Sequence, residues 1–363
     1  MTTLQTLLGI TLPIIQAPMA GVQGSALAIA VSNAGALGSL PCAMLGSDAL
    51  RSELQRIRSH TSLPYNVNFF CHTPAAADSS RDAAWHAALR PYYEQFGLDM
   101  AGQPAGPSRA PFSAAVADLL EEFRPPVVSF HFGLPDTALM ARIKSWGSKV
   151  ISTATTVDEA RWLEAHGADA IIAQGLEAGG HRGMFRTDDL TTQSGTFTLL
   201  PQIVQAVSLP VIATGGIADA AGVTAAMALG AAGVQVGTAY LLCPEATTSA
   251  IHRAALQSDA ARHTALTNLF SGRPARGIVN RIIRELGPIS TSVPGFPLAT
   301  AAIAPLRAHA EKLGSGDFSP LWAGQNVSGC RTVSAQELTL GLAAGVVERS
   351  SSLAGLSDRA SRM

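Results

Sequence analysis

The sequence has no surplus of charge in either sign, with 25 Lys and Arg against 26 Asp and Glu. Without a basic excess there is nothing to neutralise a phosphate backbone, so nucleic-acid binding is excluded as the main task. Only four cysteines occur, Cys42, Cys71, Cys243 and Cys330, and none forms a CxxC pair. A chain of 363 residues, 47% of them hydrophobic, buries a core that needs no disulfide staples. A reducing compartment, the cytoplasm, is the expectation. No Lys or Arg precedes Arg51, so the apolar N-terminus lacks the basic segment of a secretory signal. No apolar run of 18 residues free of turn signals is present, and no membrane span is expected.

Several catalytic signatures are missing as well. There is no HExxH, and Cys71 and His72 are adjacent, a poor spacing for joint metal binding. There is no GxSxG nucleophile elbow and no GxxxxGK(S/T) phosphate loop. No lysine stands at the end of an apolar run, which argues against Schiff-base chemistry.

What is present is an alternation of short β-branched runs with alanine-rich helical stretches. Strands are expected at 13–17, 36–40, 65–70, 127–130, 149–154, 170–173, 211–214 and 233–236. These runs are continuously apolar rather than alternating, the mark of parallel strands buried on both faces. Eight such units predict a TIM (β/α)8 barrel. A doubly wound sheet is the competing architecture; the turn after the first strand reads APMAGVQG and lacks its GxGxxG fingerprint. The barrel is expected over 1–240, with a polar, Pro/Ala/Gly-rich excursion at 73–110. Residues 241–331 read as a smaller, mainly helical second domain capping the mouth, and 332–363 as a C-terminal helix returning to the barrel, followed by a tail. Loops of such length commonly carry function.

In this fold the active residues project from the C-terminal ends of the strands. Gly215-Gly216 and Gly237-Thr238 follow the seventh and eighth strands, where the barrel usually cradles a phosphate. Glycine lets backbone amides approach an anion closely, and a helix N-terminus adds donors. With no Lys or Arg in either loop, one monophosphate held by amides is expected, which suits FMN. Asn68 and Gln174 then offer amides to the polar edge of an isoalloxazine ring; each is equally readable as a buried amide satisfying nearby backbone. His181, within GLEAGGHRG, can take a proton near neutrality. Glu177 orients it or is a solvated loop charge, the second being slightly preferred. Arg182 reads as a salt-bridge or lid contact. His131, in SFHFGLP, lines the substrate site or is a core histidine. The remaining histidines fall on apparent helices or in the excursions, and Cys243 reads as a packed thiol.

With these residues in place, the chain resembles the class I nitronate monooxygenases, formerly called 2-nitropropane dioxygenases. The resemblance spans most of the chain and is strongest from Pro13 to Thr238. It rests on QAPMAG at Gln16–Gly21, FHFGLP at Phe130–Pro135, GLEAGGHRG at Gly175–Gly183, ATGGIAD through LGAAGVQVGT at Ala213–Thr238, and the late LWAGQ at Leu321–Gln325. It implies FMN contacts from Met19, Asn68, Gln174, Gly179, Gly216, Gln235, Val236, Gly237 and Thr238. It also implies His181 as the active-site histidine, with His131 matching the histidine of the second motif. The implied reaction oxidises an alkyl nitronate of the propionate 3-nitronate type with O2, through a flavin semiquinone, to a carbonyl compound and nitrite. The implied partners are that small molecule and O2, for a monomer or homodimer. After QAPMAG this chain continues Val22, Gln23, Gly24, Ser25, where the family usually has another glycine and a Ser/Thr-Pro step. That difference bears on substrate more than on cofactor. Two other readings share part of the pattern: an NAD(P)H-dependent FMN reductase of quinones or enoyl-thioesters, and a non-catalytic flavin-binding module. FHFG speaks against the first, and His181 against the second.

Overall fold

The computed structural model describes residues 3–100 and 109–346. Eight parallel strands form the core: β1 (Ile14–Gln16), β2 (Gly38–Pro41), β3 (Tyr65–Phe70), β4 (Val127–His131), β5 (Lys149–Ala154), β6 (Ala170–Gln174), β7 (Val211–Thr214) and β8 (Gly233–Val236). Each pairs with its sequence neighbour from β2 to β8, and β8 pairs with β1. Closure comes from a parallel bridge between Ile15 and Leu37. Gln16 N donates to Leu37 O at 2.9 Å and Leu37 N to Ile14 O at 2.9 Å. The (β/α)8 barrel expected from the sequence is therefore the fold, and the open doubly wound sheet is not. Six of the eight strands are buried along their whole length and the other two all but one terminal residue, which is why their sequences read as unbroken apolar runs.

The barrel's floor is made by the short helix Leu4–Leu8, whose Leu4 and Leu8 pack with Ile15, Leu37, Val127, Ile151 and Ile212. Polar groups seal the β1–β2 seam at the opposite level. Ser39 N donates to Gln16 Oε1 at 3.0 Å, and Gln16 Nε2 donates to Gln23 Oε1 at 2.7 Å. Gln23, where the chain departs from the family's Ser/Thr-Pro step, is thus a buried strut that also accepts from Met19 N.

The two long excursions meet each other. Helix Ser79–Phe96, from the first, packs on helix Ala299–Lys312, from the second. Trp85, Leu89 and Tyr93 share one apolar cluster with Phe270, Ile283, Ile303, Leu306 and Phe318. Tyr93 donates its hydroxyl to Ala302 O at 2.6 Å. This lobe is not helical throughout. Thr264–Thr267 and Ala275–Ile278 form an antiparallel pair, and a third, two-residue strand joins them: Gly180–His181, from the loop after β6. Residues 335–346 form a helix against the barrel, where Leu338 and Leu342 join the cluster of Val223 and Tyr240. The end of the helix-and-tail segment expected at 332–363, from 347 on, and part of the first excursion lie outside the described residues. Among the described residues, no helix is long and apolar enough to cross a membrane.

Candidate active site

The residues singled out in the sequence converge. Met19, Asn68, His131, Gln174, Gly179, His181, Gly216, Gln235, Val236, Gly237 and Thr238 all line one cavity over the C-terminal ends of the strands. Strand register explains this. Parallel neighbours end at one level, so residues at the ends of β3, β4, β6 and β8 form a ring.

His181 reaches this ring because its backbone is held from two sides. As part of the small sheet it pairs with Ala275. From the barrel, its carbonyl accepts from His131 Nε2 at 3.1 Å and from Gln174 Nε2 at 3.0 Å. Its ring Nε2 lies 2.8 Å from Ser271 Oγ. Burial holds its pKa well below the ordinary imidazole value, and Arg109, His131, Arg273 and His72 push it further the same way. His181 is therefore a neutral imidazole at neutral pH. Aromatic rings enclose it, with centroids at 5.4 Å for Phe296, 5.6 Å for Trp322 and 6.1 Å for Phe132.

His131 has both ring nitrogens engaged. Nε2 donates to His181 O, and Nδ1 accepts from Thr153 Oγ1 at 3.0 Å. Burial lowers its pKa to about 4, so it too is neutral. Gln174 is similarly occupied, since its Oε1 accepts from Gly183 N at 2.8 Å. Both side chains position the His181 loop, which is more than the sequence assigned to either. Asn68 donates to Ser129 Oγ at 2.9 Å.

Two sequence expectations for this loop are corrected. Glu177 neither orients His181 nor is a solvated charge. Its carboxylate accepts from Thr196 N at 2.9 Å and Thr196 Oγ1 at 2.8 Å, capping helix Thr196–Ala206, whose N-cap residue is Gly195 and offers no side chain. Arg182 makes no ion pair among the described residues and is 0% exposed. It donates to Gly175 O at 2.6 Å, Gln174 O at 2.8 Å and Gln193 Oε1 at 2.8 Å. The guanidinium fork thus ties the start of the loop to its neighbours, and burial lowers its pKa to about 10.

Two backbone amides are open where the chain leaves β7 and β8. The amides of Gly216 and Gly237 donate to no protein acceptor among the described residues. Helix Ala220–Ala228 is capped by the Asp219 carboxylate, which accepts from Gly222 N at 2.8 Å, so one amide of this helix N-terminus is already occupied. The late LWAGQ segment crosses the cradle. Gly324 N donates to Thr238 Oγ1 at 2.9 Å, Gln325 N to Glu177 O at 2.9 Å, and Asn326 Nδ2 to Gly216 O at 2.9 Å. A Cβ on Gly179 would fall 2.6 Å from the backbone of Ala323 and Gly324, so only glycine permits this crossing. Gln235 Oε1 is buried on the cavity wall without a partner. Open amides at one end and an unpartnered amide oxygen further along fit an extended ligand with a phosphate and a polar ring edge. FMN has that form.

Sequence reading missed several groups. Arg109 lines the cavity, half-buried, and donates to Thr300 Oγ1 at 2.7 Å; no carboxylate among the described residues pairs with it. Ser271 and Thr153 hold the two histidines. His72 and His252, set aside as helix or excursion residues, are both near the site. His72 packs edge-on to Phe296 at 4.8 Å. His252 lines the cavity and donates Nε2 to Trp322 O at 3.1 Å. Among the described residues no cluster of His, Cys, Asp or Glu could hold a metal ion.

Comparison with known proteins identifies the family. Residues 1–345 match the nitronate monooxygenase family. The chain is 43% identical to a nitronate monooxygenase of Pseudomonas aeruginosa over 339 residues, covering 92% of this chain and 95% of that one. It superposes on the nitroalkane oxidase of Streptomyces ansochromogenes with a TM-score of 0.88 and 39% identity, covering 96% and 99% of the two chains. FabK from Thermotoga maritima matches less closely, with a TM-score of 0.72 and 26% identity over 98% and 99%. The chain belongs to the nitronate monooxygenase family.

Proposed function

We propose that this protein oxidises alkyl nitronates with O2 at a bound FMN, giving a carbonyl compound and nitrite. The observation that carries the reading is a neutral histidine, His181, fixed at the wall of a cavity that also holds the half-buried cation Arg109. Met19, Asn68, Gly179, Gly216 and Gln235 to Thr238 would hold FMN, its phosphate against the free amides of Gly216 and Gly237. Gln174 and His131 would act on the cofactor side through the loop they brace. When bound, FMN supplies the acceptor for the nitronate's electron and the donor for O2. The protein's own part is to bind an anion, exclude water with Phe70, Phe132 and Phe296, and manage a proton at His181. In this reading residues 1–240, apart from the excursion at 73–110, form the FMN barrel, and 241–331 together with helix Ser79–Phe96 form the cap that closes over it.

The test is oxygen uptake by the flavin-loaded protein with propionate 3-nitronate, and separately with NADH. Rapid uptake with nitrite release, and no reaction with NADH, is the expected result. Bleaching by NADH with the nitronate inert would instead support the quinone or enoyl-thioester reductase, which the fold shared with FabK keeps as the competing reading.

Arg109 adds a second expected outcome. A half-buried guanidinium without a carboxylate is favourable chiefly when an anion binds. Hydrogen bonds to charged groups are worth about 1.5–3 kcal/mol. Arg109→Gln should therefore raise KM for propionate 3-nitronate about ten- to a hundredfold. KM for a nitronate without a carboxylate should change much less. Equal effects on both substrates would remove Arg109 from carboxylate recognition.

A further inference from the structure

The ring of His181 is held by a residue from outside the barrel. Ser271 lies in the second lobe, is 2% exposed, and places Oγ 2.8 Å from His181 Nε2. Its hydroxyl has a second neighbour, Arg273 O, to which it donates at 3.4 Å. A serine hydroxyl carries one hydrogen. With that hydrogen directed to Arg273 O, an oxygen lone pair faces the imidazole. The hydrogen in the His181–Ser271 contact then belongs to Nε2. A neutral imidazole has hydrogen on only one nitrogen, so Nδ1 keeps its lone pair. Nδ1 makes no hydrogen bond among the described residues, and His181 lines the cavity. The charged and titratable groups acting on the ring are Arg109 from the first excursion, Arg273 from the second lobe, His72 after β3 and His131 on β4; none is a carboxylate. Nothing acidic competes with Ser271 for the ring's hydrogen.

We propose that Ser271 is a positioning residue that fixes His181 as the Nε2–H tautomer and so makes Nδ1 the proton acceptor of the site. This rests on His181 being the base in the function proposed above. A neutral nitroalkane gives its α-proton to Nδ1. The C–H bond breaks, its electron pair stays on the substrate as the nitronate, and the imidazolium keeps Nε2–H on Ser271. The new Nδ1–H is then a donor for the nitronate oxygen. The opposite tautomer would present Nδ1–H to the substrate and could not accept that proton.

The tautomer is measurable directly. Flavin-loaded protein with 15N-labelled histidine rings is examined by NMR, with His181→Gln used to identify the His181 signals among those of the nine histidines. The expected result is hydrogen on Nε2 in the wild type and in Ser271→Thr, and its loss from Nε2, in part or wholly, in Ser271→Ala. Hydrogen on Nδ1 in the wild type would overturn the proposal with no variant needed, so a Ser271→Ala protein that fails to fold leaves it testable. Kinetics supply the second readout. The ratio of kcat/KM on a neutral nitroalkane to that on its preformed nitronate should fall about tenfold or more in Ser271→Ala, and recover in Ser271→Thr. An unchanged ratio and pH profile in Ser271→Ala would show that the hydroxyl only packs. No wild-type turnover of the neutral nitroalkane would remove the proton-acceptor role of Nδ1. The NMR result does not depend on which substrate is oxidised, so it separates failure of this inference from failure of the nitronate reading.

Discussion

His181→Ala is expected to retain its flavin and lose turnover on the order of 10²–10⁴-fold, the range a positioned acid–base group supplies. The structure explains why the two effects should separate. His131 and Gln174 bind the carbonyl of His181, not its ring, so the loop stays braced when the ring is removed. The cradle at Gly216 and Gly237 makes no contact that depends on the imidazole. Among the described residues only Ser271 loses a hydrogen-bond partner, and a water entering the vacated space can replace it. Oxygen consumption beside the flavin absorbance checks both halves. A variant with full activity would remove His181 from catalysis; a colourless one would show that the loop and the cofactor site are a single unit. The pH dependence follows from the same environment. Burial and four neighbouring basic groups depress the pKa of His181, so its neutral form is present above that depressed value and is lost only as pH falls through it. For the wild type on neutral nitroalkane, the acid limb of kcat/KM should therefore lie below the ordinary imidazole value of about 6.5. A limb at or above that value would mean that the ring is solvated or has an acidic partner.

The barrel was legible in the sequence because its strands are buried on both faces, and burial on both faces leaves continuous apolar runs such as Val127–Phe130 and Ala170–Ala173. Four strands have the expected bounds; the other four differ by one or two residues at one or both ends, as at β4 and β6, whose last residues His131 and Gln174 are polar because they face the cavity. The second lobe was less legible for a physical reason. Its core joins residues some 200 positions apart, such as Tyr93 and Ala302, and no local periodicity encodes such a pairing. The small sheet was hidden for the same reason, since its third strand is two residues of a glycine-rich loop. The loop residues divide instructively. His181 was recognisable from its setting between glycines at a strand end. Glu177 was misread because its task lies 19 residues away, at a helix start with no side-chain cap of its own. Gly195 at the N-cap has no side chain to accept from the first helical amides, which leaves that task to an outside carboxylate. Arg109 carried no signal, because nothing in a polar excursion says which of its side chains folds back over the mouth.

Gly216→Asp is expected to strip the cofactor. Steric conflict is not the cause. A Cβ on Gly216 would meet Glu177 Cβ at 3.5 Å, an ordinary contact. The backbone is left-handed there, with φ of +75°, which costs most side chains roughly 1–2 kcal/mol but is comparatively well tolerated by Asp and Asn. What remains is charge. At 4 Å and an effective dielectric of about 20, each pair of like charges costs about 4 kcal/mol. A carboxylate placed beside the phosphate of FMN would therefore weaken binding by about 10²–10³-fold. The isosteric Gly216→Asn separates the explanations. It carries the same Cβ, the same volume and the same backbone demand, but no charge. Asn should keep near-native flavin occupancy, while Asp should emerge largely colourless and need much more added FMN in titration of the apoprotein. Loss in both variants would point to backbone geometry rather than charge. A stoichiometrically yellow Asp variant with native affinity would place the phosphate elsewhere in the cavity, away from the loop that follows β7.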